Sequence, residues 1–125
     1  MTRAVALFCL WASVAQASDG WFGDDKALHF SGAAVIASGT WLVAAQVTDD
    51  AWRCALSAAG ASLLAGAAKE LFDLAGAGTA SWRDVTWDAL GTAAGVLVSW
   101  AVHHWVKPLV SQRAGSALSA RAAVW

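Results

Sequence analysis

Ser81-Trp82-Arg83-Asp84-Val85-Thr86-Trp87-Asp88-Ala89-Leu90-Gly91-Thr92-Ala93-Ala94-Gly95 is the stretch from which the rest of the chain can be read. Helical neighbours lie three or four positions apart, so Asp84, Asp88, Gly91 and Gly95 fall on one stripe. Ser81 stands where a helix cap is expected, and Asp84 three residues on approximates a capping box. Gly91-Thr-Ala-Ala-Gly95 is a G-x-x-x-G, which lets two backbones approach closely in an apolar setting. One helix thus carries acids at its start and a strip of small residues beyond them.

Working outward, two more charge clusters stand at helix ends. Lys69-Glu70-Leu71-Phe72-Asp73 comes before, and on a helix Gly66, Lys69, Glu70 and Asp73 share a face. Asp24-Asp25-Lys26-Ala27-Leu28-His29 comes earlier still, where Asp25, His29, Gly32 and Ile36 share a face with Lys26 beside it. Between the clusters the chain is Ala, Gly, Val, Leu, Ser and Trp. The first helix is expected from Asp24 or Asp25, whose carboxylate caps it, to about Val47. Asp49-Asp50 close it and cap a second helix from Ala51 to Leu74, which Gly76 and Gly78 end. The third runs from Ser81 to about Val106, where Pro108 stops it. Residues 107–125 are expected to be a weakly helical, mobile tail.

Fold class follows: an all-α antiparallel three-helix bundle over residues 24–106. Antiparallel packing brings the three clusters to one end. The resulting polar cap holds Asp25, Lys26, His29, Lys69, Glu70, Asp73, Arg83, Asp84 and Asp88, above a stem packed through Gly66, Gly91 and Gly95.

Residues 1–17 read as a secretory signal, with Arg3 as the positive region, Ala4 to Ala15 as the apolar region and Ala15-Gln16-Ala17 before the cut. The alternative is an uncleaved anchor helix. Charged residues make up 14% of the chain, against about 25% in an average soluble domain. The apolar runs approach the roughly 20 residues a membrane span needs. Trp21, Trp82 and Trp87 fall near the cluster end, and Trp52, Trp100 and Trp105 near the other, as two interfacial belts. Membrane embedding is therefore expected. Lys107, Arg113 and Arg121 then lie in the cytoplasm and the polar cap faces the periplasm, as the positive-inside rule requires. The alternative is a periplasmic, membrane-associated bundle. A net charge of -1 gives no basic footprint for nucleic acid. Membrane lipid is the expected partner, with envelope proteins or self-association beside it. Of the two cysteines, Cys9 lies in the signal, so the mature chain keeps Cys54 and no disulfide framework.

Three readings of the polar cap compete. In the first, Lys26, Lys69 and Arg83 pair with the carboxylates and lock the helices, because polar groups near a membrane are expensive unless paired. In the second, His29 joins Glu70, Asp73 and Asp88 around a divalent cation; the residue types suit Zn, Mn or Mg. In the third, the cap grips a polar lipid head group or envelope glycan, with Lys and Arg on phosphate and a carboxylate as base. The structural lock leads, and no cofactor is expected under it. No HExxH, nucleophile elbow or phosphate loop assigns a reaction. His103 and His104 are adjacent, so they point to different faces and chelate poorly; they read as helix-end residues.

Asp-Lys-Ala-Leu-His-Phe at 25–30, Ala-Lys-Glu-Leu-Phe-Asp at 68–73 and the 81–95 stretch together resemble the YfiM family of bacterial periplasmic lipoproteins. The resemblance covers about residues 24 to 100. It implies a helical protein of the cell envelope and brings no activity with it. Cys9 follows Leu7-Phe8 rather than small residues, which departs from the lipoprotein signal. More distantly, the Lys…His, Glu and Arg-Asp…Gly…Gly arrangement is similar to VanZ-type membrane proteins, linked to glycopeptide resistance. Asp88 stands where that family would have Asn. The expected function is a structural or interaction role in the envelope. The alternative is binding or hydrolysis of a lipid head group or envelope precursor.

Overall fold

The computed structural model describes residues 20–123, all of whose regular elements are helical. The expected signal or anchor at 1–17, with Cys9, lies outside the described residues. Helix α1 spans Asp24–Ala44, α2 Ala51–Phe72, α3 Trp82–Ala101 and α4 Lys107–Ala122. A π-helical turn, Asp73–Ala77, extends α2, and another, Val102–Val106, joins α3 to α4.

The helices meet along stripes of four-residue spacing. On α1 the buried residues are Asp25, Lys26, His29, Ala33, Ala37 and Trp41; on α2, Cys54, Ala58, Ser62 and Glu70; on α3, Asp84, Asp88, Gly91, Thr92, Gly95 and Ser99. The α3 stripe is the one that the G-x-x-x-G reading places. A Cβ on Gly91 would collide with the Phe30 carbonyl, and one on Gly95 with the Ala34 carbonyl and Ala37. The absence of side chains there is what lets α1 and α3 touch backbone to backbone. On α1 the buried stripe runs through Ala33 and Ala37 rather than Gly32 and Ile36. Its apolar residues lie all round, so periodicity does not mark the inner face.

Contacts between elements set the helix order. His29, near the start of α1, meets Asp88 near the start of α3 and Lys69 near the end of α2. Midway, the Ser62 hydroxyl donates to the Ala33 carbonyl at 2.9 Å and lies 2.7 Å from the Thr92 hydroxyl. Ser62 has a single proton to give, so Thr92 donates to it. At the far end Ala37, Trp41, Cys54 and Ala58 close a small apolar core.

The caps differ from expectation in an instructive way. Asp50 caps α2, accepting from Trp52 N at 2.9 Å and Arg53 N at 3.4 Å. Neither Asp24 nor Asp25 caps α1; Gly23 holds that position without a side-chain bond. Nor does Ser81 with Asp84 form a capping box. The Ser81 N–H donates instead to Glu70 Oε2, at 2.8 Å. Glu70 takes from another helix the bond a capping-box acid would make locally, and Asp84 is turned into the protein. Gly76 ends the second helical segment with φ at 98°, the left-handed geometry glycine adopts cheaply.

Pro108 does not stop the chain from helix formation. It lies in the first turn of α4, where a missing N–H is not missed. The π-helical turn before it absorbs the change in hydrogen-bond register. The expected tail is therefore helical to Ala122, and it buries no residue.

Polarity is distributed inside out. Among the described residues, buried positions hold ten polar or charged side chains against five apolar ones. Large apolar side chains face outward along the stem: Val35 is 70% exposed, Val43 71%, Leu64 72% and Leu97 65%. Among the described residues two helices, Asp24–Ala44 and the continuous Trp82–Ala122, are long and apolar enough to cross a membrane.

Candidate functional site: a buried charge network at the head of the helices

Start with Lys26. Its ammonium lies 2.8 Å from Asp25 Oδ2 and makes a close ion pair with Asp84 Oδ1, linking α1 to α3. Lys26 is 3% exposed, Asp25 6% and Asp84 3%, so the whole group is out of water. Local sequence explains the placement. Asp25 and Lys26 sit in the first turn of α1, and Asp84 in the first turn of α3, where acids suit the helix dipole.

His29 lies one turn deeper. Its Nδ1 is 2.9 Å from Asp88 Oδ1. On the other side Nε2 is 3.1 Å from Lys69 Nζ, 3.5 Å from Asp84 Oδ2 and 4.0 Å from Asp25 Oδ1. An ammonium can only donate, so in the contact with Lys69 the Nε2 lone pair accepts. The ring hydrogen then sits on Nδ1 and is donated to Asp88. In the tautomer that this contact selects, Asp88 orients the ring and Nε2 presents a lone pair to the centre of the cluster.

Asp88 Oδ2 is buried and has no hydrogen-bond partner. It lies against α2 at Gly66, where a Cβ would stand 2.6 Å from it. Gly66 is thus the packing glycine on α2, and what it makes room for is a carboxylate rather than a backbone.

Lys69 closes the network from α2. Its ammonium is 2.8 Å from Asp73 Oδ2, 3.4 Å from Glu70 Oε1 and 3.6 Å from Asp84 Oδ2. Asp73 also packs against Gly78, whose Cβ would strike its carboxylate, so the loop after α2 folds back over the Asp73 side chain.

The structure therefore brings Asp25, Lys26, His29, Lys69, Glu70, Asp73, Asp84 and Asp88 into one connected network. Arg83 takes a different place. Its guanidinium lies over the rings of Trp21 and Trp82, 5.6 and 5.9 Å from their centroids, at the rim of the head. Trp87 adds to that rim, donating from Nε1 to the Trp21 carbonyl at 3.0 Å. The donor groups divide otherwise than the expected His29, Glu70, Asp73 and Asp88 set. Glu70 and Asp73 serve Lys69, Asp88 serves Nδ1 of His29, and it is Asp25 and Asp84 that share the space around Nε2. Spacing along a helix could not reveal this, because the choice is made between residues 58 and 59 positions apart.

At the opposite end, His103 packs edge-on to Trp41 with ring centroids 6.0 Å apart, and His104 lies on Trp100 at 4.4 Å. Both lie in the π-helical turn inside the continuous Trp82–Ala122 helix, so they are not the helix-end residues expected from the sequence.

No family model, curated protein or solved structure matches this chain.

Proposed function

We propose that this protein is a small membrane-embedded component of the bacterial cell envelope, related to the YfiM family. In it a buried charge network locks an antiparallel three-helix bundle from its periplasmic end, and the role is structural or interactive. The observation that carries the reading is the closed pairing of Lys26 with Asp25 and Asp84 at exposures of 3 to 6%. Charges are retained out of water only when partners satisfy them, and here the partners come from different helices. Support for embedding comes from the outward-facing apolar stem and from exposed tryptophans at both ends, Trp82 at 64%, Trp52 at 70% and Trp105 at 66%. Helix α1 has 21 residues and the continuous Trp82–Ala122 helix 41, enough to cover the roughly 20 that cross a hydrocarbon core. In this orientation the charged head is periplasmic and α4, with Lys107, Arg113 and Arg121, extends into the cytoplasm.

A second reading has its own observation. The Asp88–His29 pair holds a lone pair at Nε2 in the way that general bases are held. It supports a VanZ-like site that acts on a polar lipid head group or an envelope precursor. Substituting Glu70→Gln and Asp84→Asn singly in the host cell separates the two. Under the lock reading both variants become scarce or protease-sensitive. Normal abundance with loss of an envelope phenotype would favour the head-group site. Carbonate extraction tests embedding: release of the chain from membranes would overturn it.

A further inference from the structure

We propose that the head of this protein is a binding site for a first-row divalent cation, zinc or manganese, with Asp25, His29 and Asp84 as ligands and Asp88 as the residue that orients His29. The inference deepens the charge-network reading, because it rests on the same buried head.

Geometry is the first support. One ligand atom from each of Asp25, His29 and Asp84 lies within 4.8 Å of the others, and all three residues are buried. Nε2 of His29 stands 3.5 Å from Asp84 Oδ2 and 4.0 Å from Asp25 Oδ1. Ligands held at about 2.0–2.2 Å from a common ion are separated by distances of this order. Two carboxylate oxygens and an imidazole nitrogen are a donor set that zinc and manganese accept. The remaining coordination positions would fall to water or to an oxygen anion such as phosphate.

The second support is the histidine itself. Nδ1–H is donated to Asp88, which leaves Nε2 as the lone pair facing the two carboxylates. Metal-bound histidines almost always carry this carboxylate on the other ring nitrogen. That arrangement is not required by a lock of lysines and acids, since an ion pair needs no oriented lone pair.

Charge balance is the third support. Among the described residues the head holds five carboxylates, Asp25, Glu70, Asp73, Asp84 and Asp88, against the cations Lys26, Lys69 and Arg83. The fixed cations are outnumbered by the carboxylates, in a place where uncompensated charge is costly. Asp88 Oδ2, buried against Gly66, has no hydrogen-bond partner to share its charge. A dication at Nε2 would polarise the imidazole and draw positive charge toward Asp88.

Lys69 is the competitor. Its ammonium sits 3.1 Å from Nε2, in the space a metal ion would claim, yet it is 2.8 Å from Asp73 as well and partly open to solvent. Its long side chain can keep the Asp73 pair and withdraw from His29. The expectation follows that metal and Lys69 exclude each other at Nε2.

The test is metal binding to the purified full chain in detergent, using Zn²⁺ and Mn²⁺ alone, read by isothermal titration and by metal content after desalting. Saturable binding at one equivalent is expected. His29→Gln and Asp84→Asn should abolish it. Asp88→Asn should weaken it by about 10- to 100-fold. Lys69→Met should strengthen it, an outcome that a purely structural role for the cluster does not produce. Circular dichroism of each metal-free variant confirms that helix content is retained. Absence of saturable binding in both the wild type and folded Lys69→Met would overturn the proposal. So would binding that survives His29→Gln. The lock reading fails on a different result, unchanged abundance of the Asp84→Asn protein, so the two failures are distinguishable.

Discussion

The two ends of the helices solve the same packing problem with opposite chemistry. At the head, Asp25, Lys26, His29, Asp84 and Asp88 are buried together and held by directional ion pairs and hydrogen bonds. At the far end, Ala37, Trp41, Cys54 and Ala58 are buried together and held mainly by apolar contact. The head is connected through three helices, so each side chain there has a defined partner. At the far end a groove of about 410 Å³ opens beside Trp41, lined also by Leu42, Val98 and His103. The difference teaches where uniqueness comes from. Small apolar residues let the helices approach but slide easily, since one Ala contact resembles another. The ion pairs of the head choose one register, and the Thr92–Ser62–Ala33 bridge carries that choice down the stem.

If the contrast is real, breaking the head should cost most. Lys26→Met leaves Asp25 and Asp84 facing each other without their shared cation. Removing one partner of a buried pair typically costs about 3–5 kcal/mol. Denaturation in detergent, followed by helical circular dichroism, should show a loss of that order. Adding Asp84→Asn to Lys26→Met should recover part of it, because the residual charge is halved. A double variant as damaged as the sum of the two singles would mean that the residues are not coupled.

Next in size is the stem. Gly91→Val inserts a side chain where the Phe30 carbonyl lies, and α1 and α3 must separate. Overpacking of this kind costs about 1–3 kcal/mol. Gly115→Val on exposed α4, where a Cβ meets open space, should cost less than Gly91→Val in the same assay. Equal losses would show that helix propensity rather than close approach is being measured.

A smaller effect is expected at the far end. Cys54 is fully buried in the apolar core, and Cys54→Ala removes a single heavy atom. A cost of about 1 kcal/mol is in keeping with loss of one buried methyl-sized group. A loss as large as that of Lys26→Met would erase the distinction between the ends.

The smallest effect concerns the ion pair between the α1–α2 loop and the start of α4. Lys107 Nζ is 2.7 Å from Asp49 Oδ1, and both are well exposed. The hydrogen bond from Lys107, and then its charge, hold the Asp49 carboxyl below its ordinary value. A depressed acid stabilises the fold at pH above its unfolded value of 3.8, and that contribution fades as pH falls through the folded value. Solvent screens an exposed pair, so the melting difference between wild type and Asp49→Asn should be slight at neutral pH, smaller in high salt and absent in strong acid. A difference that grew on acidification would refute the assigned sign.

Much of this organisation is legible in the chain. Uniform apolar runs bounded by Asp50 and Gly76 define the helices, because a carboxylate accepts orphan N–H groups and glycine takes a positive φ cheaply. The 84–95 stripe is readable because acids and glycines recur at helical spacing on one face. The convergence of three charge clusters follows from helix order alone. Other features were decided only by tertiary structure. Apolar residues surround α1, so no pattern distinguished Ala33 and Ala37 from Gly32 and Ile36 as its buried face. Asp84 looked like a local cap and became the partner of Lys26, while Glu70 capped the Ser81 N–H from another helix. Pro108 looked like a stop and became a first-turn residue of α4, since only the backbone register before it decides which. Composition and periodicity specify what a segment can bury. Which of five chemically similar carboxylates meets which cation is a matter of position across 58 residues of chain, and that is settled when the helices pack.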